Sequence, residues 1–128
     1  VYIIVVAAGI IEHEGKILLA QRQEGAHQGL KWEFPGGKLE FGETPEQCLV
    51  REIQEELNIE IKIDQLFQVV SHVYGERQVV LICYRCSYLS GALDAKECHN
   101  FCWVEKKDLM NYDLAPADIP VAQNLLKK

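Results

Sequence analysis

The sequence predicts a single mixed α/β (α+β) domain over residues 1–128, with a sheet covered by helices. Three observations carry this. Apolar, β-branched runs cover residues 2–11 and 16–22 and recur at 66–73 and 78–89. One strongly signalled helix interrupts them at 44–58. The chain then closes with a short apolar strand and helical segments rather than with more sheet.

The elements follow in order. Residues 2–11 and 16–22 form a hairpin-like start around the polar turn Glu14-Gly15-Lys16. Residues 23–31 read as a loop. Trp32-Glu33-Phe34 is a short extended segment stopped by Pro35-Gly36-Gly37, and residues 38–44 are a second loop. Thr44-Pro45-Glu46-Gln47 then supplies an N-cap, a proline at the first helical position and a capping-box Gln. Leu49, Ile53 and Leu57 recur every four residues as an apolar stripe, and Asn58 suits a left-handed terminator. Residues 59–63 alternate, a turn at Tyr74-Gly75-Glu76 separates strands 66–73 and 78–89, and residues 101–104 form a last short strand. Two short helices are expected at 105–112 and from about 118 onward.

Composition narrows the function. The net charge of −6 disfavours stable nucleic-acid binding, which depends on Lys and Arg neutralising phosphates. A small polyphosphate remains compatible if metal ions supply positive charge. No apolar run is long enough to span a bilayer, and the apolar opening lacks the basic flank of a signal peptide. Five cysteines without an export signal point to reduced thiols and a cytoplasmic protein. Cys83 and Cys86, with Cys98, His99 and Cys102, invite comparison with a zinc site. However, the odd offset of Cys83 and Cys86 on a strand puts them on opposite faces, so buried thiols are expected.

The helix carries the chemistry. Glu52, Glu55 and Glu56 stand at i, i+3 and i+4 and share one face, where like charges cost helix stability. Such a face is either merely solvated or a set of hard oxygen ligands for a divalent cation, and magnesium fits the second case. Arg51 is placed to orient these carboxylates by charge-assisted hydrogen bonds. Gly36-Gly37 lets the backbone turn sharply and approach a ligand or metal.

Reading back from the helix, Gly37, Glu43 and Arg51-Glu52-Ile53-Gln54-Glu55-Glu56-Leu57-Asn58-Ile59 resemble the Nudix box, G-x5-E-x7-R-E-U-x-E-E-x-G-U with U apolar. The one departure is Asn58 in place of glycine, and Asn tolerates the left-handed conformation. The likeness extends over nearly the whole chain. Lys31 to Lys38 and Gly42 to Gln47 resemble segments of the MutT-type pyrophosphohydrolases, and Leu114 to Pro120 resembles the LAPADIP segment of the CTP pyrophosphohydrolases.

This resemblance implies an α/β/α sandwich around a mixed, curved sheet, with a loop–helix–loop at residues 37–59. It implies hydrolysis of a nucleoside triphosphate at the β-phosphorus, giving the monophosphate and pyrophosphate with Mg2+, for which Mn2+ can substitute. Glu56 would be the main metal ligand, beside the carbonyl of Gly36 or Gly37. Glu52 would be a ligand through water or the general base, and Glu55 and Glu97 would complete the metal shell. Lys38 would neutralise phosphate charge, and Glu43 belongs to the same catalytic set. Arg22, His27, Glu33, Phe34, Pro35, Gly36, Tyr74 and Asp118 would contact the nucleotide, with Phe34 and Tyr74 as candidates to stack on the base.

Asp118 stands where MutT-type enzymes carry a base-reading Asn. An ionised Asp only accepts hydrogen bonds, whereas a protonated one can also donate. Asp118 is therefore compatible with 8-oxo-dGTP and with CTP or dCTP, although it could instead simply cap the last helix. Taken as a core residue, each Trp is left aside. The expected protein is a monomeric, nucleotide-pool sanitising 8-oxo-dGTP diphosphatase, with a CTP/dCTP pyrophosphohydrolase as the alternative. A Nudix enzyme for another nucleoside diphosphate derivative, and a binding module without activity, are the rivals. The second is disfavoured because every box glutamate is present.

Overall fold

A computed structural model describes residues 1–127. The elements run β1 (Tyr2–His13), β2 (Lys16–Gln21), β3 (Trp32–Glu33), β4 (Gly36–Lys38), α1 (Pro45–Leu57), β5 (Glu60–Tyr74), β6 (Arg77–Ser90) and β7 (Asn100–Glu105). A 3-10 helix at Lys106–Asn111, a 3-10 turn at Pro116–Asp118 and α2 (Ile119–Leu126) complete the order.

The strands form one mixed seven-stranded sheet in the order β3-β2-β1-β6-β5, with β4 added to β1 and β7 to β2. β1 runs parallel to β6 along nearly its whole length. Its other side is divided. Glu12 and His13 pair with β2, whereas Val6, Ala7 and Ala8 pair with β4. The sheet therefore forks along β1, and a cavity opens beside the fork.

Alternation along the strands builds two cores. Ala8 and Ile10 of β1, Ile17 and Leu19 of β2, and Leu81 and Cys83 of β6 face α2, where Val121, Ala122 and Leu125 cover them. Ala7, Ile11, Leu18, Tyr84 and Cys86 face the opposite side and meet Leu49, Ile53 and Leu57 of α1. The predicted stripe of α1 is thus wholly buried. Each such Leu or Ile side chain contributes about 1.5–3 kcal/mol by leaving water. A helix on each face gives the expected α/β/α layering. Cys83 and Cys86 lie in different cores, as their odd spacing requires. The cysteines at 48, 83, 86, 98 and 102 are all free thiols.

Three expectations are corrected. Residues 59–63 and 66–73 are not separate strands. β5 is continuous from Glu60 to Tyr74, with register shifts at Ile63/Gln65 and Leu66/Gln68. These bulges absorb the polar interruption at Asp64 and bend the strand. The helix expected at 105–112 is a 3-10 helix. Trp32 and Trp103 are only partly buried and sit at the margins of the two cores.

Candidate active site

α1 is fixed at both ends by its own sequence. The Thr44 side chain accepts a hydrogen bond from the Gln47 N–H, and the Gln47 side chain accepts one from the Thr44 N–H. At the other end Asn58 takes the left-handed conformation at φ 62°. The helix is thus a rigid carrier for its carboxylates.

Arg51 organises them. Its Nε donates to Glu43 Oε2 at 2.9 Å and its Nη2 to Glu43 Oε1 at 2.6 Å. Its Nη1 donates to Glu52 Oε1 at 2.8 Å and to Glu55 Oε2 at 3.1 Å. The orienting role read from the sequence is therefore met by geometry. The doubly engaged Glu43 carboxyl is held down at about 2 by its hydrogen bonds from Arg51 and the Glu40 backbone.

Glu56 differs from the other helix carboxylates. It is 9% exposed, and its Oε1 is buried with no hydrogen-bond partner. Burial, and then the charges of Glu33, Glu52 and Glu97, push its carboxyl up to about 8. Glu52 is likewise raised by burial, against the pull of Arg51. A buried carboxylate oxygen without a partner is costly, and a hard cation is a suitable partner for it. Among the described residues, no three His, Cys, Asp or Glu side chains are gathered closely enough to hold a metal ion between them. The donor set suits a divalent ion that also takes backbone carbonyl, water and phosphate oxygens.

Gly36 and Gly37 correct another expectation. They lie in extended strand β4, not in a sharp turn. Their need is for close approach. A Cβ on Gly36 would stand 1.9 Å from the Ala7 carbonyl oxygen, and one on Gly37 would stand 2.2 Å from the Glu52 carboxylate. Pro35 is buried, and its carbonyl accepts the Gly9 N–H at 2.8 Å, which continues the join to β1.

A cavity of about 620 Å³ opens beside this strand. Gly36, Gly37, Lys38 and Glu52 line the part beside β4 and α1, and Arg22, His27, Glu33, Tyr74 and Asp118 line the remainder. Glu43 and Glu55 lie behind, on Arg51. Glu97 is carried by the loop before β7, whose backbone docks on the Glu56 carbonyl.

The part away from α1 is polar and runs from the exposed His27 to the buried Asp118. Arg22 Nη1 donates to Glu33 Oε1 at 3.0 Å, and Arg22 Nε donates to the His27 carbonyl at 2.6 Å. Asp118 is 4% exposed and its Oδ2 accepts the Phe34 N–H at 2.9 Å. Burial and the neighbouring Glu33 carboxyl hold Asp118 well above the usual carboxylate range. Asp118 makes no side-chain cap to α2, so the simple capping role is excluded. The Tyr74 hydroxyl accepts the Ala117 N–H at 2.9 Å, and its ring meets the His27 ring edge-on at 4.8 Å. Burial, then Arg77 and Arg22, lower the His27 pKa.

The Phe34 ring is 2% exposed and packs in the α2-side core. Enclosed there, it is not free to stack on a base, and what Phe34 offers the cavity side is its backbone N–H, donated to Asp118. Sequence reasoning missed Arg77, which lines the cavity and whose Nε donates to the Tyr2 hydroxyl at 2.9 Å. Its position directly after the Tyr74-Gly75-Glu76 turn was the available signal, because Arg77 pairs with Tyr74 across the hairpin.

Fold and site together define a hydrolase of the carboxylate-helix type, and the chain belongs to the Nudix family. The NUDIX domain matches residues 6–124. The chain is 40% identical to the CTP pyrophosphohydrolase of Escherichia coli K12 over 118 residues, 92% of this chain and 87% of that protein. It is 37% identical to the 8-oxo-dGTP diphosphatase of the same organism over 121 residues, 94% of each. The crystal structure of the MutT NUDIX hydrolase from Burkholderia pseudomallei superposes with a TM-score of 0.86 at 28% identity, covering 95% of this chain and 97% of that one. Nudix hydrolases generally need a divalent metal. No helix among the described residues is long and apolar enough to cross a membrane.

Proposed function

We propose that this chain hydrolyses a modified nucleoside triphosphate to the nucleoside monophosphate and pyrophosphate, with 8-oxo-dGTP as substrate. The observation that carries this reading is that one cavity is lined both by Glu52 of the carboxylate helix and by the buried carboxyl of Asp118. The first is suited to phosphate chemistry, the second to reading a base.

When bound, magnesium, or manganese in its place, neutralises phosphate oxygens and lowers the pKa of water. Glu56, with its unpartnered Oε1, would hold it together with Glu52, Glu55, Glu97 and the carbonyl of Gly36 or Gly37. Glu52 Oε1 is engaged by Arg51, which leaves Oε2 to take the proton of the attacking water. Lys38 offsets negative charge on the phosphates. Arg51 and Glu43 keep the carboxylates oriented.

A protonated Asp118 donates and accepts at once, as an Asn does. That pattern meets the O6 and N1–H of a guanine edge. Tyr74, with His27 against its ring, offers the stacking surface. Arg22 and Glu33 hold the loop and strand beside the base.

The same protonated carboxyl also fits cytosine, donating to N3 and accepting from the amino group. This favours CTP or dCTP as the second reading, in keeping with the 40% identity to a CTP pyrophosphohydrolase. In either case we propose a cytoplasmic monomer, a setting that suits its free thiols.

The test is pyrophosphate release with magnesium at low substrate concentration, comparing 8-oxo-dGTP, dGTP, CTP and dCTP. The expected result is release with a clear preference for 8-oxo-dGTP. Preference for CTP or dCTP moves the chain to the second reading, and no release from any of the four overturns both.

A further inference from the structure

Asn58 is the one residue of the box that departs from the family pattern, and it does more than tolerate a left-handed backbone. Its side-chain Nδ2 donates to the Ala92 carbonyl at 3.1 Å, across 34 residues. Ala92 lies in the segment between β6, which ends at Ser90, and β7, which starts at Asn100. That segment carries Glu97 and has no strand of its own.

The segment wraps the C-terminal end of α1. The Asp94 N–H donates to the Leu57 carbonyl at 3.1 Å. The N–H groups of Lys96 and Glu97 donate to the Glu56 carbonyl at 3.0 and 3.4 Å. These are carbonyls that a helix end leaves without intrahelical partners. Gly91 begins the wrap at φ +102°, where a Cβ would stand 2.6 Å from the Asn58 carbonyl oxygen. Approach is thus as close as a backbone permits. On the far side, Gln23 Nε2 donates to the Glu97 carbonyl at 2.6 Å. A glycine at 58 would supply the left-handed φ but no donor to Ala92.

We propose that Asn58 is a positioning residue: its amide donor registers residues 91–97 on the end of α1 and so fixes Glu97 beside Glu52 and Glu56. This rests on the reading of Glu97 as part of the metal shell. The carboxylate helix and the loop that completes its ligand set are thereby joined at one residue.

The test uses Asn58→Gly and Asn58→Asp. Both side chains permit the left-handed backbone, and neither donates to Ala92 at neutral pH. Two readouts need no turnover: amide hydrogen exchange of the metal-free protein, and Mn2+ affinity by electron paramagnetic resonance without nucleotide. Both variants are expected to speed exchange at the Asp94, Lys96 and Glu97 amides by roughly two- to tenfold, the factor one net hydrogen bond is worth. Exchange within α1 stays unchanged. Mn2+ affinity falls by a similar factor in wild-type background. In a Glu97→Gln background, Asn58→Gly adds no further loss, which a merely structural role would not predict. Wild-type exchange and Mn2+ affinity in Asn58→Gly, alongside weakened affinity in Glu97→Gln, overturns the proposal and leaves the reading of Glu97 intact. Unchanged affinity in Glu97→Gln overturns that reading instead, and the positioning role with it.

Discussion

Arg51 and Glu43, eight residues apart, meet as a two-pronged pair, Nε to Oε2 at 2.9 Å and Nη2 to Oε1 at 2.6 Å. The remaining guanidinium nitrogen turns to Glu52 and Glu55. One cation therefore ties the loop before α1 to the working face of the helix. A planar fork can do this and an ammonium cannot. Arg51→Lys is expected to lower kcat by about 10–100-fold, as loss of groups that orient metal ligands does. Circular dichroism should remain that of the wild type. Equal kcat in the two proteins would show that a point charge suffices at this position.

The same pair predicts an acid limit. Glu43 is held at about 2, below its ordinary 4.5. A carboxyl depressed in the folded state stabilises above its unfolded pKa and loses that contribution as pH falls through the folded value. Loosening of the 38–44 loop is therefore expected between about pH 4.5 and 2, and should be absent in Glu43→Gln. Amide exchange of Glu40 and Glu43 against pH checks this.

Glu56 predicts the opposite slope. Its carboxyl is raised to about 8. A raised group stabilises fully below its unfolded pKa, and the contribution is lost as pH rises through the folded value. The metal-free protein should lose thermal stability between about pH 4.5 and 8, and Glu56→Gln should flatten that dependence while reducing turnover by orders of magnitude. Full turnover in Glu56→Gln would remove the residue from the proposed ligand set. Added Mg2+ should restore stability to the wild type near pH 8 and not to the variant.

Gly37→Ala places a methyl 2.2 Å from the Glu52 carboxylate. Something must move, and the carboxylate is the softer side. The expected result is a large loss of kcat with a small change in nucleotide affinity. An unaltered kcat would detach Glu52 from the chemistry.

Asp118→Asn keeps one donor and one acceptor, so nucleotide affinity is expected to stay within about tenfold of the wild type. Asp118→Ala leaves the buried Phe34 N–H without a partner, a cost of about 1–3 kcal/mol in stability by urea denaturation, and weakens binding as well. If the Asn variant binds as poorly as the Ala variant, an ionised carboxylate is what the base requires.

The capping box, the stripe of Leu49, Ile53 and Leu57 and the carboxylates of α1 were legible because they depend on neighbours within a few residues. The site's remote partnerships were not. That β4 is extended strand depends on pairing with β1, some thirty residues earlier, and Gly36-Gly37 in isolation reads as a turn. Phe34 shows the same limit. An aromatic beside Pro35 looks available for stacking, and only the packing of α2 shows that its ring is enclosed. The long β5 escaped because bulges conceal its continuity. For Arg77 the neighbouring Tyr74-Gly75-Glu76 turn marks only a hairpin, and its place in the cavity arises from the fold.

The division of β1 between β2 and β4 has a consequence for how such an enzyme diversifies. The phosphate-handling half is attached to the sheet through β4, pinned at Gly36 against Ala7, while Asp118 belongs to the C-terminal turn before α2. The two meet at one buried hydrogen bond, from the Phe34 N–H to Asp118 Oδ2, so their spacing is set by the backbone just before β4. On the proposed reading of Asp118, a side chain exchanged there leaves the pairing of β4 with β1 in place. A change of base preference at position 118 would likewise leave the close approach of Gly36 to Ala7 untouched.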